Sequence, residues 1–264
     1  LMRARKFDIV DIDPFGSPAP FLDSGAFCAR KGLFLTATDR ATLSGVHRKT
    51  AFRKYHALPL KTEYHAEVGL RILLYAVACS LARYGKAMIP LLSYSSIHYY
   101  RIFVLVRKGV ENADKMLEDV GHILHCLKCG YREVKKGVCS QKRECEKCGE
   151  KLVYCGPIWI GNYKDSEFCG RVAEKLRGGK FNSTPTALKL LSRLSSELDI
   201  PTCYDCHLIA RRLSLSPPTM EKLLDALTKE GYKASKTHYG GTLFKTDAPL
   251  DVIEDVLIKL QNKK

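Results

Sequence analysis

Six consecutive residues, Asp13-Pro14-Phe15-Gly16-Ser17-Pro18, have types and an order suited to chemistry on a planar amine, and they follow directly on an apolar-rich run over residues 6–13. In an open α/β sheet, ligands bind beyond the carboxyl ends of the strands, which is where an acid closing such a run would stand. Methylating an exocyclic amine requires a lone pair, normally delocalised into the base, to attack a methyl carbon in line. The Asp13 carboxylate would accept a hydrogen bond from the amine, push electron density toward its nitrogen and take up the proton. The Pro14 carbonyl could accept from the other N–H, and Phe15 offers a ring on which a flipped-out base can stack. Gly16 would let the backbone pass close to that base. An isolated Asp-Pro-x-Gly is equally well explained as a tight turn with proline at its second position. The full string, closing an acidic strand and leading into a helix pattern, argues for a site.

A second group has metal-ligand spacing. Cys126 and Cys129 form one CxxC pair and Cys145 and Cys148 another, with 15 residues between them and a glycine after each pair. Four thiolates at this spacing complete a closed tetrahedral shell, so Zn2+ is expected here in a structural role. The metal would staple residues 122–155, a Cys-, Lys- and Gly-rich insert too small and polar to bury a core of its own. Eleven cysteines in a chain without a secretory pattern also favour reduced thiols over disulfides. Cys139 lies between the two pairs, and Cys203, Cys206 and His207 form a further CxxC with no second pair nearby. These are expected to be ordinary residues, the latter group on a helix.

The formal charge of +15 over 264 residues calls for a polyanionic partner. Residues 1–110 hold 17 Lys/Arg against 7 Asp/Glu, so the surplus is densest around the candidate loop. Residues 40–62 contain six Lys/Arg and no acid, interleaved with His47, Tyr55 and His56. Arg48, Lys49, Arg53 and Lys54 are the first candidates for RNA phosphate contacts. Lys236 and His238, with Lys233 and Lys245 around an expected hairpin, form a second candidate surface for RNA. No apolar run approaches the roughly 20 residues that span a bilayer, so no membrane partner is expected, and the location is expected to be cytoplasmic.

The elements that must position these groups follow from periodicity. A strand over 6–13, a helix over 19–30, a strand over 32–38, a helix over 65–84 and strands over 87–94 and 99–107 predict an α/β unit spanning residues 1–110. Residues 111–264 are expected to form a second domain. It would hold the Cys-rich insert, helices over 167–177, 187–198, 204–213 and 217–230, and a hairpin over 232–244. The segment 200–250 therefore reads as winged-helix-like.

The segment DIDPFGSPAPFLDSG at 11–25 resembles motif IV of the tRNA (guanine-26, N2)-dimethyltransferases, which are class I, S-adenosylmethionine-dependent enzymes. The resemblance continues through TATDRATLSG at 36–45, HYYRIFVLVRKG at 98–109, GPIWIGNYKD at 156–165 and ASKTHYGGTLFKTDAP at 234–249. It implies the C-terminal part of a class I, Rossmann-like sheet, followed by an α+β domain that binds tRNA. It also implies S-adenosyl-L-methionine as methyl donor, one or two methyl groups added to guanine 26, Asp13 as the catalytic carboxylate and Phe15 as the stacking ring. Family members begin with three strands carrying a glycine-rich cofactor loop and an acid for the ribose, and no GxGxxG or GxGxG occurs here. The cofactor-binding residues are therefore expected upstream of residue 1, in a longer enzyme or on a second polypeptide. This chain alone is expected to bind the donor very weakly. Two other functions fit parts of the pattern. One is an amino-methyltransferase for another base such as adenine, although that class commonly shows two prolines in its loop. The other is a noncatalytic, zinc-containing RNA-binding fragment.

Overall fold

The computed structural model describes residues 5–179 and 184–262, which fall into two compact units, 1–165 and 166–264. The first unit opens with β1 (Phe7–Ile12), α1 (Ala19–Cys28), β2 (Ala29–Ala37), α2 (Arg40–Leu43) and α3 (Arg48–Tyr55). It continues with α4 (His65–Ala82), β3 (Lys86–Ser95) and β4 (Tyr100–Lys108). The strands form one sheet in the order β1-β2-β4-β3, with β1 and β2 parallel and β4 antiparallel to both its neighbours. Alternation explains which face is packed: Val10 and Ile12 of β1 are buried, whereas Phe7, Ile9 and Asp11 are exposed. Leu33, Leu35, Ile102 and Val104 supply the centre of the core.

α4 lies over this core. Leu70, Ile72, Leu73, Leu74 and Val77 are all fully buried. Among the described residues it is the one helix long and apolar enough, by length and composition, to cross a membrane, and most of it is enclosed in the protein. Its polar exception is a buried pair, Arg71 Nε to Glu67 Oε1 at 2.8 Å. Arg71 Nη1 also donates to two backbone carbonyls, Trp159 O at 3.0 Å and Gly161 O at 3.1 Å.

Those carbonyls belong to the next group of elements, α5 (Val110–Leu117), β5 (Val120–His125), β6 (Arg132–Lys136) and β7 (Val153–Trp159). The three strands form an antiparallel sheet in the order β6-β5-β7. Because α4 packs against β7 as well as β3, the Cys-rich segment lies inside the first compact unit. The domain division expected near residue 110 thus differs from the break between Asp165 and Ser166.

The second unit comprises α6 (Ser166–Arg177), α7 (Thr184–Ser196), β8 (Tyr204–Asp205), α8 (Cys206–Arg212), α9 (Met220–Lys229), β9 (Ala234–Lys236), β10 (Leu243–Thr246) and α10 (Leu250–Gln261). Its small antiparallel sheet runs β8-β10-β9. The helix expected from residue 204 starts two residues later, because Tyr204 and Asp205 pair with β10. The Asp205 side chain then caps the helix, accepting from His207 N at 2.8 Å and Leu208 N at 3.1 Å. Similarly, α9 begins after Pro217 and Pro218, with Thr219 as its N-cap.

Candidate functional site

β1 ends at Ile12, and the chain leaves the sheet through Asp13, Pro14 and Phe15 before Pro18 starts α1. Asp13 is exposed, and Phe15 stands wholly in solvent at 108% relative exposure. The Phe15 ring adds nothing to the core and is open to contact from a ligand. The turn itself is anchored. Gly16 N donates to Thr38 Oγ1 at 2.7 Å, and Thr38 N donates to Gly16 O at 2.9 Å, fastening the loop to the residue just after β2. Gly16 has φ +93°, and a Cβ added there would meet nothing within 4 Å. Its positive φ is a conformation that glycine adopts readily and other residues rarely do.

Beside the loop, Arg101 of β4 reaches across β2 on the exposed face of the sheet. Its guanidinium forms a two-pronged contact with Asp11, at 2.8 and 2.6 Å, and donates to Thr36 Oγ1 at 2.7 Å. Partial burial works against its charge, but the hydrogen bonds and negative charge of Asp11, reinforced by Asp13, hold its pKa above the ordinary value. A permanently cationic group therefore sits next to the candidate carboxylate. Sequence inspection passed over Arg101 and Thr38, although both lie in blocks that carry the family resemblance.

The basic run becomes α3, a helix that charge patterning alone did not reveal. Only Ala51 and Tyr55 are buried on it, while Arg48, Lys49, Phe52, Arg53 and Lys54 are exposed. Lys54 is partly engaged with Asp39 at 3.4 Å, and Arg53 donates to Thr50 Oγ1 at 3.3 Å. These groups form a basic face on the unit that holds the loop. The second candidate surface is different. Lys236 is ion-paired with Glu221. The His238 side chain is 1% exposed, with Nδ1 2.7 Å from Glu197 Oε2, and the neighbouring Lys245 is buried against the same carboxylate at 3.7 Å. His238 is thus a core residue of a buried ionic cluster and not a surface contact, because Glu197 needs its hydrogen bonds to be tolerated inside.

The four cysteines converge as expected. The sulfurs of Cys126, Cys129, Cys145 and Cys148 lie within 4.8 Å of one another, with Cys126 to Cys148 and Cys129 to Cys145 both at 3.5 Å. A tetrahedral shell with Zn–S near 2.3 Å places sulfurs about 3.8 Å apart, so the donor set fits zinc. Each pair sits on the same kind of turn. Gly130 N and Gly149 N donate back to Cys126 O and Cys145 O, both at 2.9 Å, with φ +77° and +70°. Leu124 and Leu152 complete a small cluster around the sulfurs. Cys139 is exposed, while Cys203 and Cys206 are buried, in keeping with ordinary roles.

Comparison with known proteins places these features in context. A family profile described as N2,N2-dimethylguanosine tRNA methyltransferase matches residues 1–258. The chain is 42% identical over 261 residues to the tRNA (guanine(26)-N(2))-dimethyltransferase of Methanosarcina mazei, covering 98% of this chain and 67% of that one. It is 40% identical over 265 residues to the protein of the same name from Methanobrevibacter smithii, covering 99% and 68%. Among solved structures it resembles Trm1 from Pyrococcus horikoshii in complex with S-adenosyl-L-methionine, with a TM-score of 0.89, 36% identity and coverage of 97% and 68%. The chain spans about two thirds of the length of these relatives.

Proposed function

Because the chain belongs to the N2,N2-dimethylguanosine tRNA methyltransferase family, we propose that its Asp13–Pro18 loop transfers methyl groups from S-adenosyl-L-methionine to the exocyclic amine of guanine 26 in tRNA. The observation that carries this reading is the pairing of an exposed carboxylate and an exposed ring on one loop, fastened beyond the carboxyl ends of two parallel strands. A guanine turned out of its stack would lie against Phe15. Its amine would donate to Asp13 and to the Pro14 carbonyl, which restores lone-pair density on nitrogen and gives the proton an acceptor. The donor, when bound, supplies an electrophilic methyl carbon.

Arg48, Lys49 and Arg53 on α3 would hold tRNA phosphates, with Lys54 contributing less because Asp39 engages it. Zn2+ on Cys126, Cys129, Cys145 and Cys148 would have no open coordination position and would act only on the fold. The second unit supports a winged-helix reading, since its helix-strand-helix-helix-hairpin order and β8-β10-β9 sheet follow that pattern. We place the activity in the cytoplasm.

The test is nucleoside mass spectrometry of tRNA treated with the full natural protein and S-adenosyl-L-methionine. N2-methylguanosine and N2,N2-dimethylguanosine should form, and a tRNA with adenine at position 26 should stay unmodified. N6-methyladenosine as the product would overturn the assignment.

A further inference from the structure

We propose that Tyr55 is a positioning residue for methyl transfer, joining α3 to the Asp13–Pro18 loop through its hydroxyl; this rests on the reading of that loop as the reacting site. Tyr55 is 1% exposed, and its oxygen lies 2.7 Å from Ser17 Oγ and 2.9 and 3.0 Å from the two carboxylate oxygens of Asp39. A phenol has one proton, and an ionised carboxylate has none to give. Tyr55 therefore donates to Asp39, and Ser17 donates to Tyr55. Ser17 Oγ in turn accepts from Ala19 N, at 3.3 Å, in the first turn of α1. The result is a directional chain from Ala19 through Ser17 and Tyr55 to Asp39. Burial, then the Asp39 charge, pushes the Tyr55 phenol far above its ordinary pKa, which keeps the proton in place.

Both fixings of the loop converge on adjacent residues. Thr38 clasps Gly16 with its hydroxyl and its backbone N–H, and Asp39 holds Ser17 through Tyr55. Lys54 meets the same Asp39 carboxylate from α3. Filling the core needs only the aromatic ring, for which phenylalanine would serve. The hydroxyl does what a phenyl ring cannot: it donates to the Asp39 carboxylate and accepts from Ser17, and through Ser17 it fixes the reach of Asp13 and Phe15.

The experiment compares wild type and Tyr55→Phe in the full natural protein. The kcat for tRNA methylation should fall about tenfold to a hundredfold, the scale expected when a reacting group shifts by about 1 Å. The KM for tRNA should stay within about twofold, since no phosphate contact is removed. Hydrogen exchange at the Gly16 and Ser17 amides should accelerate. Ser17→Ala should reproduce the loss and add nothing to it when combined with Tyr55→Phe, which also serves if Tyr55→Phe fails to fold. Wild-type kcat with unchanged loop exchange, or a defect confined to KM for tRNA, would overturn the proposal. A wild-type protein inactive on tRNA would instead overturn the functional reading of the loop, and the exchange measurement would still decide whether Tyr55 fixes it.

Discussion

Phe15 and His238 show how differently two residues singled out for chemistry can be placed. Phe15 points into solvent from an anchored turn, whereas His238 is enclosed with Glu197 and Lys245. Both are unusual for their types, but only the first is available to a base. Truncating it should therefore separate binding from stability. In Phe15→Ala the thermal midpoint should stay at the wild-type value, because a fully exposed ring contributes almost nothing to the core. The kcat/KM for tRNA should fall by the equivalent of about 1–3 kcal/mol, the measured scale of base-aromatic stacking. A protein that melts earlier with unchanged kcat/KM would show that the ring serves the fold. Asp13 differs from Phe15 in having Arg101 nearby, whose charge is secured by Asp11.

At the scale of elements, α4 and the strands of the first sheet were legible because each carries a long apolar pattern, whereas β5, β6 and β7 around the Cys-rich segment were not. The expected helix over 65–84 and the observed His65–Ala82 nearly coincide, as do the expected strand over 99–107 and Tyr100–Lys108. α3 was invisible for the converse reason: with Ala51 and Tyr55 as its only buried residues, an eight-residue helix shows charge but no periodicity. The loop residues were legible, but the groups that hold them were not. Thr38, Asp39 and Tyr55 become neighbours of Gly16 and Ser17 only after β2 aligns with β1. The cysteine pairs were legible outright, since two short turns bring each pair together locally. Their segment depends on them. The cluster around the sulfurs contains just four buried residues, two of which are the ligands Cys126 and Cys145. Chelation of the metal should release β6 and the second turn while leaving the β1-β2-β4-β3 sheet folded, because that sheet has its own core in α4. Hydrogen exchange before and after chelation reads this directly. Protection unchanged across residues 126–152 would contradict a structural metal.

Over the whole molecule, charge is distributed unevenly. Residues 1–165 carry 27 Lys/Arg against 16 Asp/Glu, and residues 166–264 carry 16 against 12. The polyanion-attracting surplus therefore belongs mainly to the unit that contains the candidate loop and α3. Within the second unit, Lys236 and Lys245 are already paired with acids. Under the proposed function, capture of tRNA and chemistry on its base fall to one unit but to separate groups, surface cations in the first case and the Asp13–Pro18 loop in the second. The measurement that tests this division most directly compares wild type with Asp13→Ala in single-turnover methylation of tRNA, with tRNA affinity determined in parallel. Methyl transfer should fall by about 10²–10⁴-fold, the usual contribution of a positioned acid or base, while affinity for tRNA is retained. An Asp13→Ala protein that binds tRNA and methylates guanine at the wild-type rate would contradict the account.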